Sequence, residues 1–235
     1  MAKKKPTGIK KIISSYLIKR GFARLCKKIA TLGKMNSAEV VEFLFSKDAE
    51  LIQPWQFREE LLGFAGEIEK INPSTIMEIG TANGGTLFTA ARLATDDALI
   101  ISLDLPEGKF GGGYPAWKIP IYKSFARPKQ TIELVRADSH LPASFEQIKK
   151  LLNGKKIDYL FIDGDHTYAG VKQDFEMYSP FVRKGGIVVF HDIVVHDEDC
   201  QVDKFWAEIK LKYSHKEFVN DWKQRQFGVG VLFMD

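Results

Sequence analysis

Cysteine is scarce in this 235-residue chain: Cys26 and Cys200 stand far apart and show no metal-ligand spacing. They make no disulfide framework, so a reducing, cytoplasmic compartment is the expectation. No apolar run is long enough to span a bilayer. Nor does the N-terminus hold the uninterrupted apolar core of a secretory signal. No internal repeat is visible, and the apolar and charged fractions are those of an ordinary folded protein. The length suits one full α/β domain with an appendage.

Acidic residues are missing from the first 34 positions, which hold eleven Lys or Arg. The rest of the chain carries 23 basic and 30 acidic residues, so the net charge of +4 belongs to the N-terminal arm. A body of that sign argues against nucleic acid as the partner of the main domain. Apolar residues at 9, 12, 13, 16 and 17, then at 22, 25, 29 and 32, have amphipathic helical spacing with Lys and Arg between them. Residues 1–35 therefore read as a basic helical arm, and 36–235 as the domain. The arm can pack on its own domain, pack on a partner in a homo-oligomer, or lie peripherally on an anionic membrane.

A third absence decides the cofactor class. A short apolar run, Ile76-Met77-Glu78-Ile79, leads into Gly80-Thr81-Ala82-Asn83-Gly84-Gly85 and a helical stretch from Thr86 to Leu93. A second apolar strand, Leu99 to Leu103, ends on Asp104. Glycines let the chain turn sharply and a ligand approach closely. The helix that follows aims its N–H groups at the loop. An acid at the end of the next strand can bind a ribose diol. The order thus suggests a nucleoside-containing cofactor. Dinucleotide sites use a middle glycine to make room for pyrophosphate, and position 82 is Ala. The spacing Glu78-x-Gly80-x-x-x-Gly84 instead resembles motif I of class I methyltransferases, which bind S-adenosylmethionine. An acid before the first glycine suits a cationic, amine-bearing ligand.

The remaining chain alternates strands and helices. Helices are expected over Ser37–Phe45, with Ser37 as cap, and over Phe57–Ile71, Ser144–Leu152, Tyr168–Phe181 and Val202–Leu211. Strands are expected over 131–136, 157–162 and 187–190, the last after a Lys184-Gly185-Gly186 turn, with a closing antiparallel pair at 217–222 and 227–233. This predicts an α/β fold: a mostly parallel sheet with an antiparallel C-terminal edge and helices on both faces. The stretch 105–129 holds Gly111-Gly112-Gly113-Tyr114, Trp117 and Tyr122, and reads as a lid or as a surface loop. Asp138, after the third strand, either accepts from an adenine amine or caps the next helix.

Two further strand ends carry Asp163-Gly164-Asp165-His166-Thr167-Tyr168 and His191-Asp192. Neighbouring parallel strands bring such ends into one crevice. Carboxylates and imidazoles there can hold a hard divalent cation or supply a general base. The duller roles are helix caps for Asp163 and Asp192 and a backbone-bonded ring for His166. His196, beside three acids, reads as a solvated loop residue.

Together these segments resemble the methyltransferase group of macrocin-type sugar O-methyltransferases and cephalosporin hydroxylase-like proteins, over roughly residues 50–235. The resemblance implies a Rossmann-like class I methyltransferase sheet and methyl transfer from S-adenosylmethionine to a hydroxyl of a small molecule, a sugar or natural-product glycoside. It implies Glu78, Gly80, Thr81, Asn83, Gly84, Asp104, Asp138 and Asp163 for the cofactor, with Gln53 as a weaker contact. It places Asp163 and Asp192 at metal positions, magnesium being the expected ion, and His166 at the base position. His191, a third candidate ligand, replaces the acid that magnesium-dependent sugar enzymes carry there. The rival readings are a nucleotide-dependent oxidoreductase, disfavoured by Ala82, and a non-catalytic scaffold recruited by its basic arm, disfavoured by Asp163 and His166.

Overall fold

The computed structural model describes residues 21–196 and 198–235. Seven strands form one sheet in the order β3-β2-β1-β4-β5-β7-β6. They are β1 (Thr75–Ile79), β2 (Leu99–Leu103), β3 (Thr131–Val135), β4 (Ile157–Ile162), β5 (Val182–His191), β6 (Ser214–Phe218) and β7 (Val229–Phe233). β1 to β5 pair in parallel, while β7 lies antiparallel to both β5 and β6. The chain runs outward from β1 through β2 to β3, then returns to the other side of β1 with β4. That reversal opens a crevice at the carboxyl ends of β1 and β4, where open α/β sheets bind ligands.

Two apolar cores flank the sheet, because alternate side chains of each strand point to opposite faces. Ile76, Tyr159, Phe161, Ile187 and Val189 face one core, with α1 (helical over 21–30), α2 (Ser37–Leu44), α3 (Arg58–Ile71), α4 (Gly85–Leu93) and α5 (Ile119–Lys123). Met77, Ile79, Leu160, Ile162, Val188 and Phe190 face the other, with α6 (Pro142–Leu152), α7 (Tyr168–Tyr178) and α8 (Val202–Ile209). Helices thus cover both faces. Among the described residues, no helix is long and apolar enough to cross a membrane.

The first twenty residues of the expected arm lie outside the described residues. Its remainder, α1, is part of the domain: Leu25 and Ile29 are fully buried in the first core. Arg92 on α4 anchors it, donating to the carbonyls of Ile29, Leu32 and Gly33. A guanidinium at a helix C-terminus satisfies carbonyls that have no partner in the helix and suits its dipole.

Several boundaries differ from the sequence expectation for identifiable reasons. Asn36, not Ser37, caps α2, in a reciprocal box with Glu39. α6 starts two residues earlier than expected, with Pro142 in its first turn. α7 stops at Tyr178, ahead of Pro180, and tightens into a 3-10 turn. Gly185 and Gly186 do not make a turn before β5 but lie within it. Gly185 has φ +72°, and the β4–β5 register shifts beside Ile157. The sheet continues through them because Gly185 N–H donates to Met234 and Met234 N–H to Gly186. β6 covers 214–218 rather than 217–222. Its exposed Ser214, His215 and Lys216 are the polar residues of an edge strand, which hydrophobic alternation does not mark.

Candidate active site at the switch point

The loop after β1 takes its shape from close approach. Gly80 has φ +81°, and a Cβ there would overlap the Asp163 carbonyl at the end of β4. Gly84, φ +87°, precedes α4, and a Cβ there would press into the Tyr122 ring. Ala82 also takes a positive φ, +42°, in the place where dinucleotide sites have a glycine. Asp104 holds this strained loop. One carboxylate oxygen accepts from the N–H of Thr81 at 2.7 Å and of Ala82 at 3.2 Å, and the other from Tyr114 N–H at 3.2 Å. Its structural task is therefore to brace the loop, although it also lines the crevice. Burial pushes its carboxyl up despite those three donors.

Glu78, one residue before the end of β1, is wholly buried, and neither carboxylate oxygen completes a hydrogen bond. Burial pushes its pKa up to about 8 against smaller pulls from Thr86 and Thr81 and a further push from Asp163 and Asp104. An orphaned buried carboxyl beneath a glycine loop is a ready partner for an amine.

The crevice above holds about 240 Å³. Gly80, Asp104, Phe110, Asp138, His140, Asp163 and Asp165 are among its walls. Asp138 does not cap α6, whose cap position is Leu141. It accepts from His140 N–H at 2.9 Å and keeps its side chain partly exposed in the crevice. Asp165 accepts from Thr167 N–H at 2.8 Å, and Thr167 caps α7. The cap position of α8 is Gln201, so helix capping explains neither Asp163 nor Asp192.

Those two acids bracket a cluster of rings. His166 places Nε2 3.3 Å from Asp163 Oδ1 and Nδ1 3.3 Å from Asp192 Oδ2. Phe110 stacks on it, with centroids 4.8 Å apart and planes at 17°. His191, the last residue of β5, puts Nδ1 3.2 Å from Asp163 Oδ1 and 3.3 Å from Asp192 Oδ1. Asp192 adopts φ +62°, a strained conformation for a residue with a side chain. Burial opposes charge on His166, but Asp163, Cys200 and Asp192 outweigh it and raise its pKa to about 11. His191 rises to about 9 in the same way, under Asp192 and Asp163. Against burial, which would raise them, both carboxylates sit below their ordinary range, pulled down chiefly by His191. Asp163, His191 and Asp192 form a set whose donor atoms all lie within 4.8 Å of one another, as do His166, Asp192 and Cys200.

The stretch 105–129 divides in two. Tyr114, Tyr122 and Phe125 are buried in the first core, and α5 lies within it. Leu105 and Trp117 remain exposed, and Phe110 reaches the crevice. Gln53 is exposed; its backbone carbonyl, rather than its side chain, accepts from Asn83 at 3.3 Å. Gln56 was not anticipated. It is buried, its Oε1 has no partner, and it lines a recess with Gly84, Thr86 and Asp163. Lys118 was also missed. Its buried ammonium donates to Asn83 Oδ1 at 2.9 Å, and burial lowers its pKa to about 8. His196 and Cys200 join the cluster through the fold alone, since both come from the loop after β5. No local pattern marks any of these four.

The family model described as "Methyltransferase domain" matches residues 77–193, from β1 to just beyond Asp192. Together with the strand order, this identifies the chain as carrying a class I S-adenosylmethionine-dependent methyltransferase domain. A tapetum-specific methyltransferase of Arabidopsis thaliana is 27% identical over 134 residues, 56% of this chain and 52% of its own length. A putative caffeoyl-CoA O-methyltransferase structure from Staphylococcus aureus superposes with a TM-score of 0.56 at 19% identity, covering 95% of this chain and all of the other. An O-methyltransferase from Bacillus cereus, solved in complex with SAH, gives a TM-score of 0.56 at 16% identity, covering 84% and 90%. The chain spans between 18% and 52% of the length of the curated relatives it matches.

Proposed function

We propose that this domain transfers a methyl group from S-adenosylmethionine to a hydroxyl of a small molecule, a sugar or natural-product glycoside, with a divalent ion on Asp163, His191 and Asp192. The observation that carries the reading is the position of Asp163. It lines the cofactor crevice and is also the acid shared by His166 and His191. Bound S-adenosylmethionine supplies an electrophilic methyl group, and a divalent ion supplies charge that favours a deprotonated hydroxyl. Glu78 would meet the cofactor amine, the Gly80–Gly84 loop would carry its methionine end, and Asp138 would accept from an adenine amine. His166 is the proposed acceptor of the hydroxyl proton. Both its nitrogens face carboxylates, so it serves as a base once Asp163 or Asp192 turns to another partner. The remaining work is alignment of donor and acceptor.

Thermal unfolding with S-adenosylhomocysteine, against NAD, tests the cofactor. Ligand at a hundredfold over its dissociation constant adds roughly 2.7 kcal/mol. The expected result is a shift with S-adenosylhomocysteine and none with NAD; the reverse would restore the oxidoreductase reading. Methyl transfer to a panel of hydroxyl compounds, with and without chelator, then tests the reaction. Activity untouched by exhaustive chelation would remove the ion from it.

A further inference from the structure

The chemistry of the cluster indicates which ion it holds; this rests on the divalent-ion reading above. Three imidazoles surround Asp192. His191 Nδ1 is 3.3 Å and His196 Nε2 3.0 Å from Oδ1, and His166 Nδ1 is 3.3 Å from Oδ2. Asp163 brings a second carboxylate, and the Cys200 thiol lies within reach of His166 and Asp192. The site is also unsatisfied. Asp192 Oδ1 and His196 Nε2 complete no hydrogen bond despite their proximity, and His191 Nε2 has no partner. Asp192 and His191 are 5% and 4% exposed. Buried polar atoms gathered this closely without mutual bonding call for a further partner.

Magnesium favours oxygen ligands in an octahedron and keeps several waters. Imidazole and thiol donors favour the later first-row ions, whose affinities rise from manganese to copper and fall back at zinc. We infer that the site selects a borderline transition ion of the Co2+ or Zn2+ kind over magnesium, with His191 as the residue that sets the choice. The two donor sets share Asp192, and each brings at least one imidazole nitrogen. The preference for a borderline ion therefore holds for either set, while the role of His191 belongs to the set it forms with Asp163 and Asp192.

The test uses the full chain, stripped with chelator and dialysed, titrated calorimetrically with Co2+ and with Mg2+. Visible absorption follows the cobalt ligand field, and S-adenosylhomocysteine binding is measured in parallel. Co2+ is expected to bind at least about tenfold tighter than Mg2+. His191→Ala should weaken Co2+, and His191→Glu should narrow the Co2+ to Mg2+ ratio by about tenfold. Equal affinities, with a ratio unmoved by His191→Glu, would overturn the inference and leave a divalent ion in place. Failure of both ions to bind while S-adenosylhomocysteine binds would overturn the ion itself but not methyl transfer. Tight Co2+ without any S-adenosylhomocysteine binding would support the site and remove the methyltransferase reading.

Discussion

The two sides of the crevice handle buried charge in opposite ways. On the β1–β2 side, Asp104 meets three backbone N–H groups, so a strained loop and a buried carboxylate satisfy each other. On the β4–β5 side, Asp163 and Asp192 are neutralised by imidazoles, with buried atoms left unpaired. The first side is closed by the fold. The second keeps polar groups available to a partner, which is what chemistry needs and stability does not. Glu78 is the exception on the closed side, an orphan carboxyl beneath the loop.

Breaking the open side should have the largest effect. Asp163→Asn leaves His166 and His191 short of their shared acid, and methyl transfer should fall by at least about a hundredfold in a turnover assay. Breaking the closed side should cost stability first. Asp104→Ala strands three N–H groups, and denaturant unfolding should register a loss of about 3 kcal/mol. Asp104→Asn, which keeps one acceptor, should lose less.

A third pair sharpens the comparison from outside the cluster. His140 Nε2 lies 3.2 Å from Asp174, a fully buried acid, and Asp138 faces Nδ1. Asp174 chiefly, against burial, raises the His140 pKa to about 9 from an unfolded value near 6.5. A raised histidine stabilises fully below the unfolded value and loses that contribution as pH rises through the folded one. Stability should therefore decline by about 1–2 kcal/mol between pH 6.5 and 9. His140→Gln should flatten that part of the profile; an unchanged slope would remove the ion pair from the account.

The smallest effect belongs to Glu78→Gln. Burial keeps the folded carboxyl protonated up to about pH 8 while the unfolded one ionises near pH 4.5, so the native residue costs stability as pH rises across that window. The amide avoids this, so the variant should equal or exceed the parent by about 1 kcal/mol at pH 8 and above. Its binding of S-adenosylhomocysteine should weaken by about tenfold in calorimetry, since an amide cannot pair with an ammonium as a carboxylate does.

Much of this was legible locally. The apolar runs of β1, β2 and β4 are continuous because both faces are covered, and their ends mark Gly80, Asp104 and Asp163. Glycine spacing was readable because φ near +80° and contact with Asp163 and Tyr122 tolerate no side chain at 80 and 84. The edge strand β6 was less legible, since its solvent face carries no hydrophobic period. Gln56, Lys118, His196 and Cys200 were not legible as site residues, because each reaches the site through a loop whose path depends on packing.

The sequence by itself determined the alternation of strands and helices, the glycine loop after β1 and the acids at strand ends. Those follow from backbone sterics and from which residues can be buried. Only the tertiary structure decided that Asp104 braces the loop and that Glu78 is left unpaired. It also decided that three histidines and a thiol converge on Asp192. These are outcomes of distance and desolvation between segments far apart in the chain, and no local pattern encodes them.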